Sequence, residues 1–177
     1  MKIIACLGNP GRKYRNNRHN IGFLLGEAVA GAAGISVHKK EFSSTTGTGT
    51  ITGQAVLMIF PGTFMNNSGV ALRAAIDYYR ETAENIIVIH DEIELPFGEF
   101  RLKFGGGHKG HNGLRSIIQH TGTSDFHRLR FGVGRPPHPE MAVADYVLSD
   151  FTDDELRRIG EILPGILDAL AGLITGA

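Results

Sequence analysis

The apolar positions of this chain follow two patterns. Unbroken apolar runs occupy residues 3–7, 56–60 and 86–89. A short run that is apolar on both faces fits a strand covered from both sides. Elsewhere the spacing is helical. Ile21, Leu24, Leu25, Ala28, Val29 and Ala32 follow i, i+3, i+4, i+7, i+8 and i+11, which predicts a helix from about His19 onward. Asn16 or Asn17 is placed to cap it, and Gly31 or Gly34 to end it. Residues 43–60 read as a hairpin, polar and β-branched on one arm, apolar on the other, with Thr52-Gly53 at the turn. A loop over 61–69 leads into a helix near 68–80. After a turn at Pro96-Phe97-Gly98, two stretches alternate. Phe100, Leu102 and Phe104 oppose Arg101 and Lys103, and Leu129, Phe131 and Val133 oppose Arg128 and Arg130. A glycine-rich loop (105–113) and a helix (112–120) separate them. A proline-rich loop covers 136–139. Residues 153–173 form a last amphipathic helix, with Leu156, Ile159, Ile162, Leu163, Ile166, Leu167 and Leu170 inward. Pro164 is expected to kink or split it.

The order β-α-ββ-α-β-β-α-β-α predicts an α/β fold, one domain over residues 1–177 with a twisted mixed β-sheet flanked by helices. The apolar runs end at Leu7, Phe60 and Ile89, and each is followed closely by polar groups. Ligands of open α/β sheets bind beyond the carboxyl ends of the strands. That rule draws Asn9, His19, Asn66, Asp91 and Asn112 toward one site.

Composition narrows the picture slightly. Eighteen basic and 18 acidic residues leave no net charge, so no overall basic field attracts nucleic acid. The 24 glycines indicate many special turns or close backbone approaches. Cys6 is the one cysteine and lies in an apolar run, which suits a core thiol in a reducing, cytoplasmic setting. No signal peptide is read, and no apolar run approaches the roughly 18 residues of a membrane span. Charge is nevertheless uneven. Residues 1–18 carry Lys2, Arg12, Lys13, Arg15 and Arg18 with no acid. Residues 98–135 carry seven basic residues against Glu99 and Asp125, while acids gather at 81–94 and in the last helix. Basic segments on a neutral protein, beside its expected site, suit a polyanionic substrate.

The candidate chemistry is that of a histidine with a carboxylate behind it. Asp91 would fix the tautomer of His19 and stabilise its imidazolium. A helix N-terminus would lower the His19 pKa and Asp91 would raise it, leaving it near the ordinary value of ~6.5. No G-x-S-x-G or similar nucleophile signature occurs, so water is the expected nucleophile and asparagine amides are the expected oxyanion donors. Two other readings stay open on residue chemistry alone. His19 caps its helix, or His90, His108 and His111 bind a metal, although no H-E-x-x-H or cysteine set is present. The glycine-rich loop fits neither the P-loop nor the Rossmann pattern. Tyr14 and Phe64 offer faces on which a base could stack.

Five stretches carry a family resemblance: GNPGRKYRNNRHNIG (8–22), PGTFMNNSG (61–69), IHDEIELPFG (89–98), RLKFGGGHKGHNGLRSI (101–117) and FHRLRFGVGRP (126–136). In order and spacing the chain resembles bacterial peptidyl-tRNA hydrolases over most of residues 2–148. The resemblance implies a monomeric, cytoplasmic enzyme without cofactor or metal. Its partner would be peptidyl-tRNA, whose peptide ester it cleaves to recycle tRNA from prematurely released chains. It implies His19 as general base, Asp91 as the acid that holds it, and Asn9 as the residue that senses a blocked peptidyl amine. Tyr14, Phe64, Asn66 and Asn112 match positions that bind the tRNA end and peptide. Lys103 and Arg130 match a clamp on the tRNA 5′ phosphate, and Met65 and His111 line the same site. A non-catalytic RNA-binding module on the same fold is the alternative. Asn17, Glu94 and Lys109 depart from the usual pattern without removing a catalytic group, and the tail from Gly172 to Ala177 has little basic character.

Overall fold

The three apolar runs become adjacent parallel strands at the centre of one sheet. The chain runs β1 (Lys2–Cys6), α1 (Ile21–Ala33), β2 (Lys39–Glu41), β3 (Ser44–Ile51), β4 (Gln54–Pro61), α2 (Ser68–Tyr79), β5 (Ile86–Glu92), β6 (Phe100–Phe104), α3 (Asn112–Thr121), β7 (His127–Gly132), α4 (Val143–Val147) and α5 (Asp153–Thr175). These assignments come from a computed structural model that describes residues 1–176; Ala177, the end of the tail, lies outside the described residues. The sheet order is β2-β3-β4-β1-β5-β7-β6. Strands β4, β1, β5 and β7 are parallel. The edges are antiparallel, β2 and β3 on one side and β6 on the other. The expected α/β class and mixed sheet are observed; β2 and α4 are short additions that no periodicity announced.

Side chains of the central strands alternate between two cores. Ile4, Cys6, Met58, Ile87 and Ile89 pack toward α1 and α5. Ile3, Ala5, Leu57, Ile59 and Val88 pack toward α2 and α3. Both faces are dry, which is why these segments read as continuous apolar runs. Cys6 is fully buried, and burial holds its thiol protonated, above the ordinary cysteine range.

Five expectations are corrected. Helix α1 starts at Ile21, and His19 sits in a 3-10 turn (Arg18–Asn20) just before it. Neither Asn16 nor Asn17 caps it by a side chain: Asn17 Nδ2 instead donates to Asp150 at 2.6 Å. Gly34, at φ 67°, ends it. Pro164 does not split α5, which runs unbroken for 23 residues. Proline removes the bond to the carbonyl four residues back, which belongs to Gly160. Both residues are exposed, so water can solvate that carbonyl while Ile159 and Ile166 stay buried. In β6 the apolar side is only partly covered. Leu102 and Phe104 are 41% and 50% exposed, because β6 is the edge strand, whereas Phe100 packs against the hydrophobic core. In β7 the expected polar side is not solvent: Arg128 is buried beneath the glycine-rich loop.

Candidate active site

The carboxyl ends of β1 and β5 face the start of α1 across Gly22. A Cβ on Gly22 would lie 2.4 Å from the Leu7 carbonyl oxygen and 2.5 Å from that of Ile89. Only glycine lets the helix sit that close. The approach brings His19, three residues earlier, to Asp91, two residues beyond Ile89. His19 Nδ1 lies 2.8 Å from Asp91 Oδ2. The other carboxylate oxygen, Oδ1, is 2.8 Å from His111 Nε2.

Hydrogen bonding settles the tautomers. His111 Nδ1 accepts the Gly113 and Leu114 backbone N–H groups at 3.1 and 3.2 Å, capping α3. Its proton therefore sits on Nε2 and is donated to Asp91. With His19 Nδ1–H donating to the same carboxylate, His19 Nε2 keeps a free lone pair. Burial alone would raise the Asp91 carboxyl, but the two imidazoles outweigh it and hold its pKa well below the ordinary value. For His19, burial disfavours the imidazolium, while the charge of Asp91 and the hydrogen bond to it favour it. The net shift is upward, not the near-reference value expected from the sequence. The reason is local: the 3-10 turn lies ahead of the α-helical N-terminus and the carboxylate is in direct contact.

Asn9 is fixed from two sides. Asn20 brackets its backbone, accepting from Asn9 N–H and donating to Asn9 O, each at 2.9 Å. The Asn9 Oδ1 accepts the Met65 N–H at 2.7 Å. Its Nδ2 amide has no hydrogen-bond partner among the described residues. Asn20 was not anticipated. It is an interior polar group immediately beside His19, and a polar residue at a helix start must find backbone partners.

A cavity of about 370 Å³ adjoins His19 and Asp91, lined also by His90, Glu92, Lys103, residues 107–112, Arg128, Arg130 and part of α4. Lys103, His111, Asn112 and Arg130 all belong to it. Arg130 faces Glu92 at 3.6 Å. Tyr14 and Phe64 stand elsewhere and pack edge to face at 6.2 Å. Phe64 is 49% exposed, with φ 61°, a left-handed conformation that costs a phenylalanine about 1–3 kcal/mol. Met65 is buried beside Asn9. Asn66 is exposed and makes no side-chain hydrogen bond among the described residues. Neither Asn66 nor Asn9 is in the cavity wall. The basic N-terminal segment also contributes less than its charge count suggested. Arg18 is buried, donates to Ser149 Oγ, Asp150 O and Glu155 and stacks on Tyr146 at 4.7 Å. Its charge ties the 3-10 turn that carries His19 to α5.

Among the described residues, the side chains that converge like metal ligands are His19, Asp91 and His111, within 4.8 Å. They are not the set His90, His108 and His111 considered from the sequence. The atoms concerned already bond one another. His90 Nδ1 is 2.7 Å from the Asp91 carbonyl oxygen and His108 Nδ1 accepts from Gly110.

Fold and site together define a class: a mixed α/β sheet with a buried histidine–carboxylate pair at its carboxyl edge, beside a basic cavity. Residues 3–177 match the family model described as peptidyl-tRNA hydrolase. The chain belongs to this family. It is 45% identical over 175 residues to the peptidyl-tRNA hydrolase of Geotalea uraniireducens, covering 99% of this chain and 91% of the relative. To that of an Exiguobacterium species it is 42% identical over 174 residues, covering 98% and 94%. The crystal structure of peptidyl-tRNA hydrolase from Acinetobacter baumannii superposes with a TM-score of 0.92 at 37% identity, covering 99% of this chain and 89% of that one.

Proposed function

We propose that this member of the peptidyl-tRNA hydrolase family cleaves the ester between peptide and tRNA with His19 as general base. Water is the nucleophile. The His19 Nε2 lone pair takes its proton as oxygen attacks the ester carbonyl, and Asp91 stabilises the imidazolium that results. The proton then passes to the leaving 3′ ribose oxygen. The free Asn9 amide donates to the peptidyl end, which distinguishes a blocked amine from a free one. Asn112 and Asn66 hold substrate, and an amide donor at the developing oxyanion contributes about 3 kcal/mol. Lys103 and Arg130 take the tRNA 5′ phosphate, while Tyr14, Phe64 and Met65 contact the acceptor end and peptide. The observation that carries this reading is the pair of 2.8 Å contacts on one buried carboxylate, which leave His19 Nε2 bare. We further read residues 1–177 as one functional unit, working as a cytoplasmic monomer without cofactor. No helix among the described residues is long and apolar enough to cross a membrane.

The test is hydrolysis of N-acetyl-aminoacyl-tRNA by wild type and His19→Ala. Turnover should fall by about 10³-fold or more, as expected for loss of a general base with its partner. Near-normal turnover would remove His19 from the mechanism. A wild type that binds tRNA without hydrolysis would point instead to an RNA-binding module. Full activity after exhaustive chelation removes the metal alternative.

A further inference from the structure

Arg128 is a buried cation to which the hydrolytic mechanism gives no task. It lies on β7 at 2% exposure, opposite Lys103 of β6. Its guanidinium stacks on Phe126 with 4.6 Å to the ring centroid. It makes no ion pair with a carboxylate among the described residues. Instead Nη1 donates to the Gly107 carbonyl at 2.8 Å and Nη2 to the Gly106 carbonyl. A planar fork of donors holding two successive carbonyls is a geometry that Arg provides and Lys does not.

The grip falls between two anchored points of the loop, the Gly105 N–H on the Phe126 carbonyl at 3.0 Å and the His108–Gly110 and His108–His111 turn. Gly105 and Gly106 have φ values of 73° and 98°, open to glycine and strained for other residues. The Lys103 stem fills the space beside Gly106, where a Cβ would come within 2.8 Å of Nζ. Four residues beyond Gly107 the same loop delivers His111, whose Nε2–H meets Asp91. A physical chain therefore runs from Arg128 through the loop to His111, Asp91 and His19.

We infer that Arg128 is a positioning residue that latches the glycine-rich loop over the cavity and thereby seats His111 on Asp91. The inference rests on the reading of His19 and Asp91 as the catalytic pair. Its role is geometric, so the charge alone does not fulfil it. Displacing the loop moves His111 off the carboxylate and opens one wall of the cavity. A small misplacement of that kind costs turnover rather than binding.

The experiment measures steady-state hydrolysis of N-acetyl-aminoacyl-tRNA by the full chain as wild type, Arg128→Ala and Arg128→Lys, each confirmed folded by circular dichroism. Both variants should lose about tenfold or more in kcat with KM within about threefold, since the latch acts on orientation. About 50 mM guanidinium chloride, against matched sodium chloride, should restore Arg128→Ala several-fold and leave wild type unchanged, because the ion occupies the vacated fork site on Phe126. Wild-type kcat in Arg128→Lys would overturn the latch in favour of a charge role, as would a loss confined to KM. If Arg128→Ala does not fold, the Lys variant carries the test. The His19→Ala control separates the two readings. Loss of activity there with unaffected Arg128 variants defeats the latch alone, whereas an active His19→Ala defeats the catalytic pair beneath it.

Discussion

At the residue scale the site is an exercise in placing protons. Asp91 serves two imidazoles; His111 is held at its other nitrogen by backbone N–H groups of α3, whereas the other nitrogen of His19 stays free. His90, next to Asp91, has the opposite character. Its Nδ1–H is taken by the Asp91 carbonyl, its Nε2 has no partner, and burial, with His111 and Arg128 nearby, pushes its pKa down to about 3. The unfolded chain protonates this histidine at an ordinary value of ~6.5. Between the two values the unfolded state binds a proton that the folded state does not, so stability rises with pH there, by up to about 1.4 kcal/mol per unit. His127, also shifted down by burial, adds in the same direction, whereas the raised His19 acts in a separate window, its contribution fully present below ~6.5 and lost as pH rises through its folded value. The melting temperature should therefore fall from pH 6.5 to pH 4. His90→Asn, which keeps a donor for the Asp91 carbonyl, should flatten that slope in thermal unfolding followed by circular dichroism. An unchanged slope would show that His90 is not the acid-labile group. His19, Asp91 and Asn9 were legible in the sequence because each stands just past an apolar strand or at a helix start. Asn20 and Arg128 were not. Their partners are backbone groups of other segments, and backbone groups have no letter in a sequence.

At the element scale the decisive device is a close approach. Helix α1 begins against the backbone of β1 and β5, and Gly22 is the position where that contact allows no Cβ. Gly22→Ala forces the helix start away from two carbonyls and should cost about 1–3 kcal/mol or more. It should also depress kcat, because His19 moves with the turn. Gly34→Ala is the matched control. Gly34 has φ 67° with open space around it, so the substitution costs about 1 kcal/mol of backbone strain and leaves kcat intact. Urea unfolding and turnover of the two variants check this pairing; equal kcat values for both would refute the role given to Gly22. The element pattern itself was largely readable: the central strands, α1, α2, α3 and α5 all follow from period. The failures share one cause. Period identifies a face but does not say what covers it. Thus β6, at the edge, leaves Leu102 and Phe104 in solvent, and the polar side of β7 is roofed by a loop that buries Arg128. Likewise Pro164 fails to break α5 because tertiary contacts on either side of it hold the helix.

At the scale of the whole molecule, a chain with no net charge gathers some of its cations around one cavity, beside Asp91 and Glu92. The charge count overstated this effect, since Arg18 is consumed by Glu155 and Arg130 is shared with Glu92. Lys103, Lys109, Arg128 and Arg130 nonetheless line the space beside His19 and Asp91, and Asp91 spends its own charge on two histidines. The sheet places His19 and Asp91 at its carboxyl edge, the glycine-rich loop forms one wall of the cavity, and of the three asparagines only Asn112, at the start of α3, lines it. The central claim is that His19 is the base and that Asp91 tunes it. The direct measurement is the pH dependence of kcat/KM on N-acetyl-aminoacyl-tRNA for wild type and Asp91→Asn. The base works when neutral, so activity falls as pH drops through its pKa. Wild type should show that acid limb above the ordinary histidine value of ~6.5, in line with the upward shift of His19. Asp91→Asn should lose about 10²–10⁴-fold in activity and move the limb below ~6.5, because burial then acts unopposed. An acid limb at the same pH in both proteins would contradict the account.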